Sequence, residues 1–123
     1  IGSILIYIHE LNPSISPYFI ALLLWYPAFE NLFSIIRKKI KKINPINPDT
    51  DHLHQLIFKS LNKNFFFIKN YANQTTSILI ILYNAVVFFI STNYITKTNQ
   101  IVSLIIFNVI IYLGIYFILK KKN

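Results

Sequence analysis

The chain has 123 residues, of which 54% are hydrophobic and 16% aromatic, and its mean hydropathy is +0.51. Its formal net charge is +8, from 12 basic and 4 acidic side chains. This balance is typical of a membrane protein and not of an ordinary soluble domain. The absence of cysteine excludes a disulfide framework and a cysteine metal site.

The first residues form an apolar run, IGSILIYI, that lacks a methionine, a basic segment and a small-residue cleavage site. These features argue against a signal peptide. We expect residues 1–8 to be the end of a transmembrane helix and the chain to be a fragment of a longer protein.

Three further stretches are apolar around the whole helix and approach the roughly 20 residues that a bilayer span requires. Pro17 starts the first of them, at a position that favours helix initiation. The sequence therefore predicts an all-α, polytopic membrane protein with one partial helix, three full spans and one large loop. The predicted spans cover 17–36, 76–92 and 101–119, and the loop covers 37–75, within a single domain over 1–123.

Basic residues are divided unequally between the two sides of this predicted topology. Eleven of the 12 lie in the 37–75 loop or after the last span, and only Lys97 lies in the short link between the last two spans. Because lysine and arginine favour the cytoplasmic side, the loop and the C-terminal end are predicted to be cytoplasmic.

The basic run Arg37 to Lys42, IRKKIKK with its preceding isoleucine, has two interpretations. It can anchor the span and attract anionic lipid, at about 1 kcal/mol per charge. Alternatively, Arg37 and Lys38 can help to bind phosphate groups. Nucleic acid is not an expected partner, because no binding module is recognisable around the run.

Glu30 lies inside the first predicted span. A carboxylate at membrane depth suggests a functional site or a partner within the helix bundle. Arg37 lies seven residues later on the same helix face, roughly 10 Å away along the axis, and is a candidate partner.

The polar segment NPDTDHLHQLIFKSL follows the basic run and contains two of the three histidines. Asp51, His52 and His54 are a candidate zinc site. The His-x-His spacing alone is a weak indication, because no third strong ligand stands near the two histidines. A phosphorylated ligand suits two histidines beside a basic loop better. The apolar residues that follow recur at helical spacing and predict a short amphipathic helix at the membrane surface; they are Leu53, Leu56, Ile57 and Leu61.

The segments YPAFENLFSIIRKK and PDTDHLHQL, together with NYANQTTSILI, resemble the C-terminal part of the bacterial polyprenyl-phosphate sugar-1-phosphate transferases. This is glycosyltransferase family 4, which includes the phospho-N-acetylmuramoyl-pentapeptide and undecaprenyl-phosphate N-acetylglucosamine-1-phosphate transferases. The likeness covers nearly the whole chain, although the last two spans are generic.

The resemblance implies transfer of an N-acetylhexosamine-1-phosphate from a UDP-sugar to polyprenyl phosphate, with release of UMP and with Mg²⁺ as cofactor. It implies a bacterial inner membrane protein of envelope polysaccharide synthesis, with a homodimer as one possible assembly. The family's catalytic and Mg²⁺-binding aspartates would lie upstream, so neither a catalytic nor a metal-binding residue is assigned to this chain. His52 and His54 match the first and third positions of the family's H-x-H-H pattern, and Gln55 replaces its last histidine. The predicted substrate-binding residues are His52, His54, Gln55, Arg37, Lys38 and Asp49.

A different class of protein is also compatible with the residues. A small, non-enzymatic membrane protein could use the same basic loop to bind anionic lipid or a protein partner. Acidic aspartate motifs upstream in the reading frame would favour the transferase, and a start codon just before Ile1 would favour the alternative.

Overall fold

The structure is a computed structural model that describes residues 2–42, 44, 49, 51–64 and 70–122. The rest of the predicted 37–75 loop, and residue 1 of the predicted partial helix, lie outside the described residues. The described part contains helices and connecting segments but no strand. Its helices are α1 (Gly2–Leu11), α2 (Pro17–Leu23), α3 (Trp25–Ile40), α4 (Leu53–Asn64), α5 (Ala72–Thr92) and α6 (Thr98–Lys122).

The region predicted as one span over 17–36 is divided into α2 and α3, which meet at a bend of 72°. Pro27 explains the position of the break. It has no backbone N–H to bond the carbonyl of Leu23, and its ring would clash with that carbonyl in a continuous helix. The bend lies at Leu24, between the two helices, so α3 starts in a new direction.

The last two predicted spans are continuous helices. Helices α5 and α6 are long and apolar enough to cross a membrane, and the bent pair is a third candidate if it counts as one span. Both helices extend a few residues beyond the predicted limits of 76–92 and 101–119. The described residues are therefore all-helical, as predicted, and contain two or three candidate membrane spans.

A polar contact joins these two spans inside the apolar bundle. The Tyr83 hydroxyl of α5 donates to Asn108 Oδ1 of α6, and Asn108 Nδ2 donates to the carbonyl of Leu104 at 2.7 Å. Asn108 is buried, and both polar ends of its amide are satisfied. Asn108 is therefore a hydrogen-bonding residue between two helices of the bundle.

The short helix predicted in the loop is observed as α4, but its apolar stripe is covered by protein. Leu53 and Leu56 are buried in a core that also contains Trp25, Tyr112 and Tyr116. Helix α4 packs against α5 and α6. Leu53 and Leu56 of the predicted stripe therefore fix α4 to the helix bundle, whereas Ile57 and Leu61 are only partly buried.

Candidate functional site

Three polar residues of α3 share one buried face of that helix. Glu30, Ser34 and Arg37 are separated by four and three residues, so their side chains lie one above another. Their exposed fractions are only 7%, 6% and 8%. Buried groups of this kind are tolerated only when hydrogen-bond partners compensate for their desolvation. The partners come from the loop that follows α3.

Asp49 of the loop binds the C-terminal half of this face. Its Oδ2 accepts hydrogen bonds from the Ser34 hydroxyl and from Arg37 Nη2. The Arg37 guanidinium lies 5.3 Å from the ring centroids of both Phe33 and Tyr116, which adds cation–π contacts. Arg37 thus joins α3, α6 and the loop.

The surroundings of Asp49 favour its charged form. Burial raises its pKa, but hydrogen bonds from Ser34 and from the Asp51 backbone, together with the charge of Arg37, outweigh that effect. The resulting pKa is about 2, below the ordinary 3.8. Asp49 therefore remains ionised throughout the physiological range, and its attachment to α3 persists with it.

Glu30 binds the start of α4. Its Oε1 accepts a hydrogen bond from the Leu53 backbone N–H at 2.9 Å and lies 3.0 Å from His52 Nδ1. Leu53 is the first residue of α4, so the carboxylate satisfies a free N–H at the positive end of a helix. Gln55 completes this cap. Its Oε1 accepts a hydrogen bond from the His52 backbone N–H at 3.2 Å, as the side chain at helix position N3 does in a capping box.

Two tyrosines surround the same carboxylate on the side of the bundle. Their hydroxyl groups, on Tyr26 and Tyr112, interact electrostatically with Glu30 but form no hydrogen bond of normal geometry. Within the described residues, the second carboxylate oxygen, Glu30 Oε2, is buried and likewise has no hydrogen-bond partner. The bundle side of this carboxylate is therefore less completely satisfied than its loop side.

Asp51 connects the loop to the ends of two helices. Its Oδ2 contacts Lys120 Nζ of α6 and lies 3.4 Å from Lys41 Nζ, which follows α3. The hydrogen bond from Lys120 lowers the Asp51 pKa, burial opposes the shift, and the charges of Lys120 and Lys41 reinforce it. These pairs are partly exposed, so each contributes about 0–1 kcal/mol.

The two histidines of the loop lie side by side. The rings of His52 and His54 are nearly parallel, with an interplanar angle of 13° and centroids 5.6 Å apart. This is possible because His52 precedes the helix and only His54 is inside it, whereas two helical residues at this spacing would diverge by about 200°. His52 is engaged by Glu30, and His54 is exposed.

His54 and Gln55 border a cleft of about 450 Å³ between α4 and α5, whose wall is mainly apolar and includes Phe58 and Ile80. Helix α5 contributes Asn73, Thr76 and Ser77 to its wall. The Thr76 and Ser77 hydroxyls donate to carbonyls of their own helix, at 2.7 and 3.1 Å. Their oxygen lone pairs can therefore accept hydrogen bonds from a ligand.

The structure brings most of the predicted site residues together, but it gives them different surroundings. Arg37 and Asp49 bind each other and are almost buried, and His52 is held by Glu30. Gln55 caps α4 and also borders the cleft. Lys38 is half-buried on α3, and His54 is the predicted site residue most exposed to a ligand.

Several residues of this region were not predicted from the sequence. Ser34 could have been found from its spacing to Glu30 and Arg37, which places it on the same helix face. The cleft residues could have been found from the run NQTTS, which puts amides and hydroxyls at the start of an apolar span. The roles of Asp51 toward Lys41 and Lys120 depend on tertiary structure and left no local signal.

We compared the chain with models of known protein families, with curated proteins and with solved structures, and none of the three comparisons gave a match.

Proposed function

We propose that the chain is the C-terminal part of a transferase that moves an N-acetylhexosamine-1-phosphate from a UDP-sugar to polyprenyl phosphate. In this proposal the loop of His52 and His54 forms part of the nucleotide-sugar site on the cytoplasmic side of a bacterial inner membrane. The observation that supports it best is that His54 borders the cleft and stacks on His52, whose ring is held by Glu30 of α3.

The proposed roles of these residues follow from the solvent exposure of their side chains. Arg37 and Glu30 are buried, Asp49 is partly buried, and the three residues hold the loop in place. His54 is exposed and, with Gln55, borders the cleft. An imidazole and a carboxamide can donate hydrogen bonds to the oxygens of a sugar or a diphosphate. Phosphoryl transfer depends on such positioning and on charge stabilisation more than on covalent participation by the protein.

The Mg²⁺ that the resemblance implies is not assigned to residues of this chain. Within the described residues, no group of three or more histidine, aspartate or glutamate side chains could hold a metal ion. Asp49 and Asp51, which would be the nearest oxygen ligands, are already engaged by arginine and lysine. We propose that the metal ligands of the complete enzyme lie upstream of this chain.

The test is an assay of the complete reading frame in proteoliposomes with UDP-N-acetylglucosamine and undecaprenyl phosphate, measuring UMP release and the lipid-linked sugar. The variant His54→Ala should lower kcat/KM by about 10- to 150-fold, equivalent to losing one charge-assisted hydrogen bond of roughly 1.5–3 kcal/mol. Its Mg²⁺ requirement should be unchanged.

His9→Ala is the matched control, because His9 belongs to α1 and lies outside the loop. It should retain the parent's kinetics. Absence of lipid-linked product from several UDP-N-acetylhexosamines would contradict the proposed function and favour the non-enzymatic alternative. Parental kinetics in an active, well-folded His54→Ala enzyme would show that this histidine does not serve the substrate.

A further inference from the structure

A second candidate site lies between the basic ends of α3 and α6, away from the histidines. It is a groove of about 260 Å³. Its lining is almost entirely apolar and includes the side chains of Lys41 and Lys120, whose ammonium groups both approach Asp51. The groove combines a long apolar surface with positive charge at one end. The apolar wall residues most important here are Phe33, Ile36, Ile40 and Phe117.

The apolar walls are strongly exposed within the chain. Ile36, Ile40 and Phe117 have exposed fractions of 45%, 77% and 61%. Helix α6 is long and apolar enough to cross a membrane, and α3 belongs to the bent pair that can form a further span. Exposed apolar side chains on such helices are suited to contact hydrocarbon chains.

Among the residues that the structure describes, the two ammonium groups of Lys41 and Lys120 share one carboxylate. Lys41 and Lys120 approach the same oxygen of Asp51, so one carboxylate serves two ammonium groups. The Lys41 side chain is 47% exposed and the Lys120 side chain is 41% exposed. Asp51 holds them near each other while leaving their outer sides accessible. Two adjacent ammonium groups with one shared carboxylate form an attractive site for a second anion.

We propose that this groove binds an anionic glycerophospholipid of the phosphatidylglycerol type. The headgroup phosphate lies between the exposed sides of Lys41 and Lys120, and an acyl chain lies along Ile36, Ile40 and Phe117. The lipid connects the ends of α3 and α6 that Asp51 also connects, and so supports the position of the loop. Arg37, which binds Asp49, also lines the groove, but Lys41 and Lys120 are not among the predicted substrate-binding residues, so the assignment does not rest on the proposed transferase activity.

The experiment is native mass spectrometry of the protein from the complete reading frame, titrated with phosphatidylglycerol and with phosphatidylcholine, whose headgroup has no net charge. Each lysine contributes about a fivefold preference, the equivalent of about 1 kcal/mol, so phosphatidylglycerol should be preferred about 25-fold. The double variant Lys41→Gln/Lys120→Gln should abolish most of that preference. The charge-retaining Lys41→Arg/Lys120→Arg variant should keep it.

Lys121→Gln/Lys122→Gln is the matched control, because it removes two charges from the same end of α6 without changing the groove lining. An equal loss of preference in this control would show general surface attraction and overturn the proposal. Glycerol phosphate binding as tightly as phosphatidylglycerol would also overturn it, because the apolar walls would then contribute nothing. Tighter binding of polyprenyl phosphate, lost in the Lys41/Lys120 glutamine variant, would reassign the groove to an acceptor lipid.

Discussion

The contact between Glu30 and the start of α4 gives the sharpest structural prediction. Glu30 Oε1 serves two groups at once, the Leu53 N–H at 2.9 Å and His52 Nδ1 at 3.0 Å. The variant Glu30→Gln keeps one neutral acceptor oxygen but loses the negative charge at the helix N-terminus. A charged hydrogen bond contributes about 1.5–3 kcal/mol and a neutral one about 0.5–1.5 kcal/mol. We therefore expect the docked start of α4 to lose roughly 1–2 kcal/mol of stability.

Hydrogen exchange of the chain in lipid nanodiscs measures this loss directly. Peptides that contain the Leu53 amide should exchange about 5- to 30-fold faster in Glu30→Gln, because exchange follows the population of the locally opened state. Exchange in the middle of α5 should remain unchanged. Glu10→Gln, at an exposed glutamate of α1, is the matched control. Parental protection of α4 in the Glu30 variant would refute the assigned role of this carboxylate.

Three further predictions concern the loop, the topology and the span contact. The Asp49 carboxyl, followed by ¹³C NMR, should titrate near its pKa of about 2. Because this pKa is lowered, Asp49 contributes up to roughly 2 kcal/mol above pH about 4, and the contribution is lost as the pH falls through 2; a midpoint near 3.8 would contradict its ion pair. A cysteine replacing Lys63 should be labelled only from the cytoplasmic side and one replacing Thr98 only from outside, and the opposite pattern would reverse the predicted orientation. Tyr83→Phe should lower the stability of the α5–α6 pair by about 1 kcal/mol in a detergent unfolding assay, because it removes the donor to Asn108; an unchanged midpoint would show that this contact is dispensable.

The fold was largely predictable because apolar runs of span length are a strong local signal. The bend at Leu24 was also within reach of the sequence. Pro27 follows the break by three residues, and an interior proline disrupts the helix on its N-terminal side. Apolar composition obscured this signal, since a run such as ALLLWYPAF satisfies the hydropathy pattern of an uninterrupted span. Hydropathy describes the solvent preference of side chains, whereas the break between α2 and α3 depends on the backbone N–H that Pro27 lacks.

The partners inside the candidate site were predictable only where they are local. The spacing of His52 and Gln55 matches a capping box and could have located the start of α4. Glu30 shows the opposite case. Helix periodicity suggested Arg37 as its partner, but the structure pairs it with His52, 22 residues away. Such contacts depend on how the chain returns after α3, which the local sequence does not determine.

The buried polar face of α3 and the loop depend on each other energetically. Without the loop, Glu30, Ser34 and Arg37 would present a carboxylate, a hydroxyl and a guanidinium to an apolar environment, at a cost of several kcal/mol for each charge. Without α3, the loop would lose the groups that bind Asp49 and the first N–H of α4. Since each supplies hydrogen-bond partners to the other, each stabilises the other. The histidine pair is therefore positioned by the same contacts that allow α3 to keep charged residues inside the bundle, and a change on α3 should disturb the histidines at a distance.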